Sequence, residues 1–570
     1  MLWQKFVFII AGYWLLERFS RLFSVCKQLK NQQHGLIDSS NRLLPAFKYL
    51  IKKNKKRSLK QCLWGGKAPF HWLMIILLGL GMAPLFTHLE QYPVFMDVQD
   101  AVGIDWLMRI SQQNIPSAQD GVHKVPQFVW LDIDDKTHRQ WGEPLFTPRN
   151  RIQRLIDAAV KAQARLIIVD IDVSRPTPIE GLQSKYDDLI LHPYDEALAN
   201  YLAEYPAYCQ THPHCPSIIL ARTFLNEQNS SPTPPPYYQP RLAFDQLEQA
   251  VAHSKGYIQW ASPQFHRSRD QVVRRHAHWQ AICTDDQPGM IASIGVTATI
   301  LLNSETPKSA QDTIDQALVS LKPQNCAGEY TQSKPLSEDI EIGSLKLNPD
   351  PYSVHQRIVF SMPWLIKNED TKKLEPLRWL SDETGFPIVT RLPALHFAKT
   401  KVSVALLDSL KNDYVKNGIV IIGGSHREGR DYHKTPLGLM PGALVIINAT
   451  HSLLQYEQIE PLPIWVKWLI IATLILVMTV IFLCVASFWL AQMFNLLIVV
   501  GMMFISVILF RNAGLWLDFS TPLIFVQLYQ IAVFSGLLIL CLLLSVWRWI
   551  QWIFQRLYFF VTHFKFPFRQ

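Results

Sequence analysis

The sequence lacks the short motifs that carry the chemistry of the common enzyme classes. It contains no H-E-x-x-H, no phosphate-binding loop of the G-x-x-x-x-G-K-[ST] type and no G-x-G-x-x-G. The closest approach to a hydrolase motif is Gly423-Gly424-Ser425, but a nucleophile elbow also needs glycine at position 427, where this chain has Arg427. We therefore predict that the chain is not an enzyme and that it uses no cofactor.

Acidic residues are scarce at both ends of the chain. Residues 1–70 hold 14 Lys and Arg against only Glu17 and Asp38, and the last 24 residues hold four basic residues and no acid. Residues 90–462 are instead net acidic, with 35 basic and 43 acidic side chains. Because basic residues near membrane spans stay in the cytoplasm, both termini are predicted to be cytoplasmic and the central region external. The pI of about 9.0 then reflects membrane sorting, and nucleic acid is excluded as a partner.

Four long apolar runs supply the predicted membrane spans. They cover Phe70–Leu89, Ile464–Phe488, Phe494–Phe510 and Leu523–Val546. Each is close to the ~20 apolar residues that cross a ~30 Å hydrocarbon core. No acidic residue lies in the middle of a run, which argues against a proton or ion pathway. The sequence thus predicts a multi-pass protein of a bacterial inner membrane, with the lipid bilayer as one partner.

The spans divide the chain into segments with different roles. The predicted order is a basic cytoplasmic segment with an interfacial helix (1–69), a first span (70–89), an extracytoplasmic domain (90–462), three spans (464–488, 494–510 and 523–546) and an aromatic, basic cytoplasmic tail (547–570). The tail is too short for a catalytic output domain. Any output is therefore expected on a separate protein, and self-association of the chain stays open.

Strand and helix signals alternate in the external region. Apolar runs typical of buried strands are Phe128–Ile133, Leu166–Val169, Ser217–Ala221 and Ile419–Ile422. Helical patterns are found after Thr147-Pro148 (an N-cap followed by a first-turn proline), over Asp195–Leu202, Ile291–Leu302, Asp312–Leu321 and Val402–Leu410, and from Pro441 to Leu454, directly before the second span. This alternation predicts an α/β sandwich with a mostly parallel sheet. Two polar stretches, Asn226–Pro240 and Asn303–Asn348, are expected to be surface insertions.

Four cysteines lie in the predicted external domain. They are Cys209, Cys215, Cys283 and Cys326, an even number in an oxidising compartment, which favours disulfides. The short spacing makes Cys209–Cys215 the natural first bridge and leaves Cys283–Cys326. A metal site made of the first two thiolates and the two histidines between them is the alternative.

Acidic pairs follow two neighbouring strand candidates. Asp132 and Asp134 end the first strand, and Asp170 and Asp172 end the second. Ligands of open α/β sheets bind beyond the carboxyl ends of the strands, so these carboxylates are candidates for binding Ca²⁺, Mg²⁺ or a cationic ligand. The alternative is that they cap helices and pair with arginines such as Arg149.

The loop after Ile419–Ile422 completes the candidate ligand-binding set. Its glycines allow a tight turn, and its backbone N–H groups could hold an anion, with His426, Arg427 and Arg430 nearby. An ordinary polar loop is the alternative. Together with Asp431, the candidate residues are Asp132, Asp134, Arg149, Asp170, Asp172, Ser425 and Asp431.

Several phrases in this order resemble one family. They are VWLDIDD at Val129–Asp135, AQARLIIVDID at Ala162–Asp172, DQVVRR at Asp270–Arg275 and, most specific, Gly418–Leu454 with IVIIGG, Asp431, TPLG, MPG and Asn448, followed by three spans. The chain over roughly 90–546 resembles the CHASE domain of the second type, an extracytoplasmic sensory module.

The resemblance implies a membrane-anchored sensory or signal-relay protein. It would bind a ligand or partner in the periplasm, pass the signal through the helix Pro441–Leu454 and act through a separate signalling protein. The alternative is a structural or assembly subunit of an envelope or secretion complex, with the external domain as a docking platform.

Overall fold

A computed structural model describes residues 103–110, 125–178, 191–225, 238–323, 339–348, 356–458 and 488–513, with short gaps and a few isolated positions besides. The helices are α1 Ile104–Ile110, α2 Asp135–Gln140, α3 Arg149–Lys161, α4 Pro193–Thr211, α5 Asp245–Ala252, α6 Ile294–Asn303, α7 Pro307–Val319, α8 Val404–Ser409, α9 Gly442–Tyr456 and α10 Phe488–Ala513. The strands are β1 Phe128–Ile133, β2 Leu166–Asp170, β3 Ser217–Ala221, β4 Ile258–Ala261, β5 Phe265–Arg267, β6 Val273–His276, β7 Trp279–Thr284, β8 Gln287–Ala292, β9 Ile340–Ile342, β10 Leu345–Leu347, β11 Leu365–Lys367, β12 Leu374–Pro376, β13 Trp379–Ser381, β14 Pro387–Pro393, β15 Ile419–Gly424, β16 Tyr432–Thr435 and β17 Gly438–Pro441.

One seven-stranded sheet organises these elements. Its order is β13-β14-β1-β15-β2-β3-β4. Strands β14 to β4 run parallel to one another, and only the edge strand β13 is antiparallel to its neighbour. The predicted α/β fold with a mostly parallel sheet is confirmed. All six residues of β1 are buried, as expected for a central strand that is covered on both faces.

Helices cover both faces of the sheet. Alternate β1 side chains, Phe128 and Trp130, share one core with residues of α1, α6 and α9. The intervening Val129 and Leu131 share the other core with residues of α3, α4 and α5. This two-sided packing explains why the central strands are continuous apolar runs. The arrangement places the carboxyl ends of β14, β1, β15 and β2 next to one another.

Most predicted elements lie where the sequence patterns put them, with shifted ends. Pro148, rather than Thr147, occupies the N-cap position of α3, and α4 is much longer than the predicted helix. The predicted helix Ile291–Leu302 begins only at Ile294, because its first residues complete β8 and Ser293 caps the helix by accepting from Val296 N–H. The local sequence patterns thus predicted the positions of the helices and strands more accurately than the residues at which they begin and end.

The predicted insertion Asn303–Asn348 contains ordered structure. Helix α7 begins with a capping box between Thr306 and Ser309, and its apolar side packs with α6, β9 and β10 in a third, smaller core. The helix predicted over Asp312–Leu321 is present as part of α7, whereas the strands β9 and β10 were not predicted. Most of the other predicted insertion, Asn226–Pro240, lies outside the described residues.

Both expected disulfides are present. Cys209 bonds to Cys215, and Cys283 bonds to Cys326. The first bridge consumes the two thiolates that the alternative metal site required. The second ties the β7–β8 hairpin to the segment that follows α7.

Helix α9 is buried along nearly its whole length. Every residue from Gly442 to Leu454 is buried. Asn448 secures it: its Oδ1 accepts from the N–H groups of Ser361 and Met362 at 3.0 Å, and its Nδ2 donates to the carbonyls of Met362 and Leu444. The helix ends at Tyr456, since Glu457 has a φ of 58°. It therefore does not run on as a continuous helix towards the second predicted span.

The predicted membrane segments are described only in part. Helix α10 contains the predicted span Phe494–Phe510, whereas Phe70–Leu89 and Leu523–Val546 lie outside the described residues. Within the residues described with their side chains, no helix is long and apolar enough to cross a membrane. The four spans stay predictions.

Asn448→Ala should destabilise the domain by about 2–5 kcal/mol. The substitution leaves the buried N–H groups of Ser361 and Met362 and the carbonyl of Met362 without their partner, and each unpaired buried group costs about 1–3 kcal/mol. The measurement is the free energy of unfolding of the full-length chain. The matched control, Asn200→Ala on the exposed side of α4, should change it by less than about 1 kcal/mol. Equal effects of the two substitutions would contradict the role given to Asn448.

Candidate functional site

A buried ion pair lies at the carboxyl edge of the sheet. Asp132 is fully buried at the end of β1, and its Oδ2 accepts from Arg391 Nε of β14 and from Ser425 Oγ of the loop after β15, both at 2.6 Å. Three neighbouring strands thus meet at one carboxylate oxygen. The other oxygen, Oδ1, is buried and has no hydrogen-bond partner in the described structure.

Burial and ion pairing shift the pKa of the Asp132 carboxyl in opposite directions. Burial raises the pKa of its carboxyl, the Arg391 charge and the Ser425 hydroxyl lower it, and the resulting pKa is about 6. Arg391 is itself placed by aromatic rings, with its guanidinium carbon 5.1 Å from the centre of Trp364 and 5.8 Å from that of Trp130. The group therefore changes its charge in a mildly acidic range.

The other aspartate of the first pair caps a helix. Asp134 Oδ1 accepts from Thr137 N–H at 2.7 Å and begins α2. Its second oxygen lies 4.0 Å from Arg391. Asp134 is thus engaged as the structural alternative predicted, at the periphery of the Asp132 group.

Asp170 and Asp431 form a second acidic group beside helix α9. Burial raises the pKa of Asp170 well above its usual value, and the nearby Asp431 carboxylate raises it further. Asp431 lies on the first residue of α9, where a Cβ added to Gly442 would overlap its carboxylate. It also accepts from the N–H of Gly442 through its backbone oxygen and pairs with His433 at 2.8 Å. Asp431, whose charge raises the pKa of Asp170, thus contacts the N-terminus of α9.

Two of the predicted site residues lie apart from these groups. Asp172 accepts from the N–H and hydroxyl of Ser174 and stabilises the turn after β2. Arg149 is buried and lies 3.4 Å from Asp195, which also accepts from Thr177. Arg149 thus links the start of α3 to the start of α4, and Asp172 stays in the turn after β2. Asp132, Asp134 and Ser425 meet at one place, and Asp170 and Asp431 lie at another.

A histidine stack beside Ser425 was not predicted from the sequence. The rings of His138 and His426 are stacked 4.3 Å apart, and His138 Nδ1 lies 3.3 Å from Glu428. Burial and the neighbouring His138 lower the pKa of His426. Only the approach of α2 to the loop after β15 brings these two residues together, so neither local sequence signals it.

The described residues contain no group of three or more His, Cys, Asp or Glu side chains that could hold a metal ion. The described carboxyl edge binds and positions its side chains through hydrogen bonds and ion pairs around Asp132. Asp132 and Asp170 are both partly or wholly withdrawn from water, with carboxyl pKa values above the usual range.

The stability of the folded chain should fall as pH rises from about 4 to 6, in part because of Asp132. Its folded pKa of about 6 lies above the unfolded value of 3.8, so the folded state binds the proton more tightly and loses that advantage as the pH rises through this window. The contribution is about 2–3 kcal/mol. The Asp132→Asn variant should lack it.

The measurement is the unfolding free energy of wild type and variant at several pH values between 4 and 7. The matched control is Asp157→Asn on the exposed side of α3, which should keep the wild-type profile. Parallel pH profiles of wild type and Asp132→Asn would contradict the assignment.

Comparisons with known proteins agree with this architecture. A family model of the CHASE2 domain matches residues 72–483, which is more than two thirds of the chain. No curated protein and no solved structure matches. CHASE2 domains are extracytoplasmic sensory domains, and this chain belongs to the CHASE2 family.

Proposed function

We propose that the chain is a sensory or signal-relay protein anchored in the inner membrane. Its CHASE2 domain binds a ligand or partner in the periplasm, both termini lie in the cytoplasm, and a separate protein carries the output. The family and the charge distribution of the predicted span ends support this assignment.

Helix α9 is the observation that carries the proposal. The carboxylate of Asp431, in the loop at the carboxyl edge, contacts the first residue of α9, Gly442. The C-terminus of α9 precedes the second predicted span by a few residues. Because Gly442–Leu454 is buried throughout, α9 has little freedom to absorb a displacement within itself. A change at the carboxyl edge would therefore move α9 as a unit.

The end of α9 defines how such a movement leaves the domain. Glu457 has a positive φ, and its N–H donates to the carbonyl of Leu453, which closes the helix. The signal would thus pass through a joint between two segments rather than along one helix. Such a joint would transmit a change in the angle or position of α9 to the predicted span. A rotation of α9 about its own axis would not be transmitted, because the two segments are not one continuous helix.

The alternative, a docking subunit of an envelope complex, also has an observation in its favour. Large apolar side chains are exposed near the β13 edge of the sheet: Leu374 and Trp379 are each 65% exposed, and Leu365 is 46% exposed. Apolar residues grouped at a sheet edge favour a protein partner. The two functions therefore differ in which part of the chain holds the partner.

Purification of the tagged full-length chain in mild detergent should recover a kinase, cyclase or response regulator as a stoichiometric partner, identified by mass spectrometry. Under the proposal this partner contacts the membrane or cytoplasmic part of the chain. Leu374→Asp in the external domain should then leave its recovery unchanged.

The matched control is Val404→Asp, an equally exposed apolar position at the start of α8. Recovery of secretion or envelope components that are lost with Leu374→Asp, but retained with Val404→Asp, would replace the sensory function by the docking function.

A further inference from the structure

Three histidines form a cluster on the β5–β6 hairpin and at the start of β7. They are His266 on β5, His276 on β6 and His278 directly before β7. The rings of His276 and His278 are stacked with their centres 5.1 Å apart, and these two residues are only 3% and 2% exposed. His266 is partly buried. This histidine cluster is therefore largely withdrawn from water.

The cluster contacts the chain where it leaves α9. Gln458 follows Glu457, the residue that closes the helix, and its Nε2 lies 3.3 Å from His278 Nε2. The amide oxygen of Gln458 accepts from the N–H of Asn348 at 3.1 Å, so its NH₂ group is the part that faces His278. His278 Nε2 must therefore accept this hydrogen bond, and the single ring proton lies on Nδ1.

A second proton on His278 is incompatible with this contact. A protonated imidazole carries N–H groups at both nitrogens and accepts from neither side, so it would oppose the NH₂ group of Gln458 donor to donor. Nδ1 of His278 has no hydrogen-bond partner in the described structure. The contact with Gln458 thus depends on the neutral form of the ring.

The charged and titratable side chains that surround His278 disfavour the protonated ring. On the hairpin, on the segment bridged to β6 and on the last turns of α9, the cationic and neutral ones are His266, Arg275, His276, Arg357, His451 and Tyr456. Additional positive charge on His278 would therefore be repelled by its neighbours rather than paired.

The acidic residues of the adjoining elements are engaged elsewhere. They are Asp105, Asp270, Asp339 and Glu457. The first two pair with Arg274 at 2.8 Å, the third pairs with Lys346 at 3.3 Å, and Glu457 is exposed. Within the described residues, none of them pairs with a ring of the histidine cluster.

The pKa values of the cluster agree with this geometry. Burial and the neighbouring His266 lower the pKa of His278 to about 3, and burial and Arg275 lower that of His266 to about 4. A histidine released into water has a pKa of about 6.5. The closed arrangement is therefore fully favoured above about pH 6.5 and loses this advantage as the pH falls towards the folded values. This direction is opposite to that of Asp132.

We propose that the contact between His278 and Gln458 is an acid-sensitive latch at the end of α9. At neutral pH the latch holds the segment after α9 against the hairpin. Protonation of His278 opens it and frees the segment that leads towards the second predicted span. The inference rests on the proposed function only for its meaning as a signal, since the latch itself is measured without any output partner.

Hydrogen–deuterium exchange of the full-length chain in detergent, read by mass spectrometry at about pH 7.5 and about pH 5, tests the latch. The Glu457 N–H donates to the carbonyl of Leu453, and the peptide that contains it should lose about 10- to 30-fold in protection at the lower pH, after correction for intrinsic exchange. The upper figure is the factor of about 30 by which about 1.5 pH units below the released pKa favour the open form. A peptide from β1 should lose less than about threefold, because it reports the unfolding of the whole domain.

Two variants remove the latch from its two sides. His278→Gln keeps an acceptor for Gln458 but cannot be protonated, so it should retain protection at about pH 5. Gln458→Ala should show the low protection already at about pH 7.5 and little further loss in acid. It carries the test if His278→Gln does not fold, because Gln458 is only partly buried.

The matched control is His253→Gln, an exposed histidine after α5, which should respond to acid as the wild type does. Equal losses of protection in β1 and at the end of α9, equal acid responses of His278→Gln and His253→Gln, or wild-type protection in Gln458→Ala would each overturn the inference. A loss confined to the end of α9 and abolished by His278→Gln would uphold it even where no signalling partner is recovered, so the latch and the proposed relay fail separately.

Discussion

The fold depends on how one buried charge is accommodated. Asp132 lies at the end of the central strand β1, and its carboxylate is stable there only because β14 brings Arg391 and the loop after β15 brings Ser425. Removing one partner of a buried ion pair destabilises a protein by about 3–5 kcal/mol, because the remaining charge is neither paired nor hydrated. The pair therefore favours the strand order β14-β1-β15 over other arrangements of the same apolar strands. It also makes the carboxyl edge the most electrostatically sensitive part of the domain.

A second constraint links this edge to helix α9. A Cβ on Gly423, at the end of β15, would lie 2.8 Å from Cβ of Ala443, so only glycine permits the helix to pack this closely on the strand. The same close approach places Asp431 on the first residue of α9 and brings it near Asp170. The acidic group at the edge and the packing of α9 on β15 are thus parts of one contact. Because strand and helix are packed this closely, a change in charge at Asp170 or Asp431 would act directly at the start of α9.

The sequence predicted those parts of the molecule that local patterns determine. The central strands, α3 and α9 follow from apolar runs and helical spacing. The rule that parallel strands end at one edge placed the aspartates after β1 and β2 at the same edge, but β15 lies between these strands, so Asp132 meets Ser425 instead of Asp170. Arg391 was missed because it lies 259 residues from Asp132 in the chain, and its strand begins and ends with proline, which weakens the strand signal. The His138–His426 stack and the histidine cluster at the end of α9 likewise arise only from tertiary packing. The candidate site was therefore predictable as an edge of the sheet but not as a set of partners.

The positions of the two polar regions along α9 bear on how a sensor of this design could work. The carboxyl edge contacts the N-terminus of the helix, and a small cavity between the start of α6 and α9, lined by Ile446 and Ala449, lies at its middle. A ligand shifts a conformational equilibrium only by its difference in affinity for the two states. A ligand that contacted both α6 and α9 would have such a difference if α9 moved relative to α6. Asp431, whose charge raises the pKa of Asp170, lies at the N-terminus of the same helix. If protonation of Asp170 shifted α9, acidity and ligand would be coupled through the helix, and the coupling would be reciprocal.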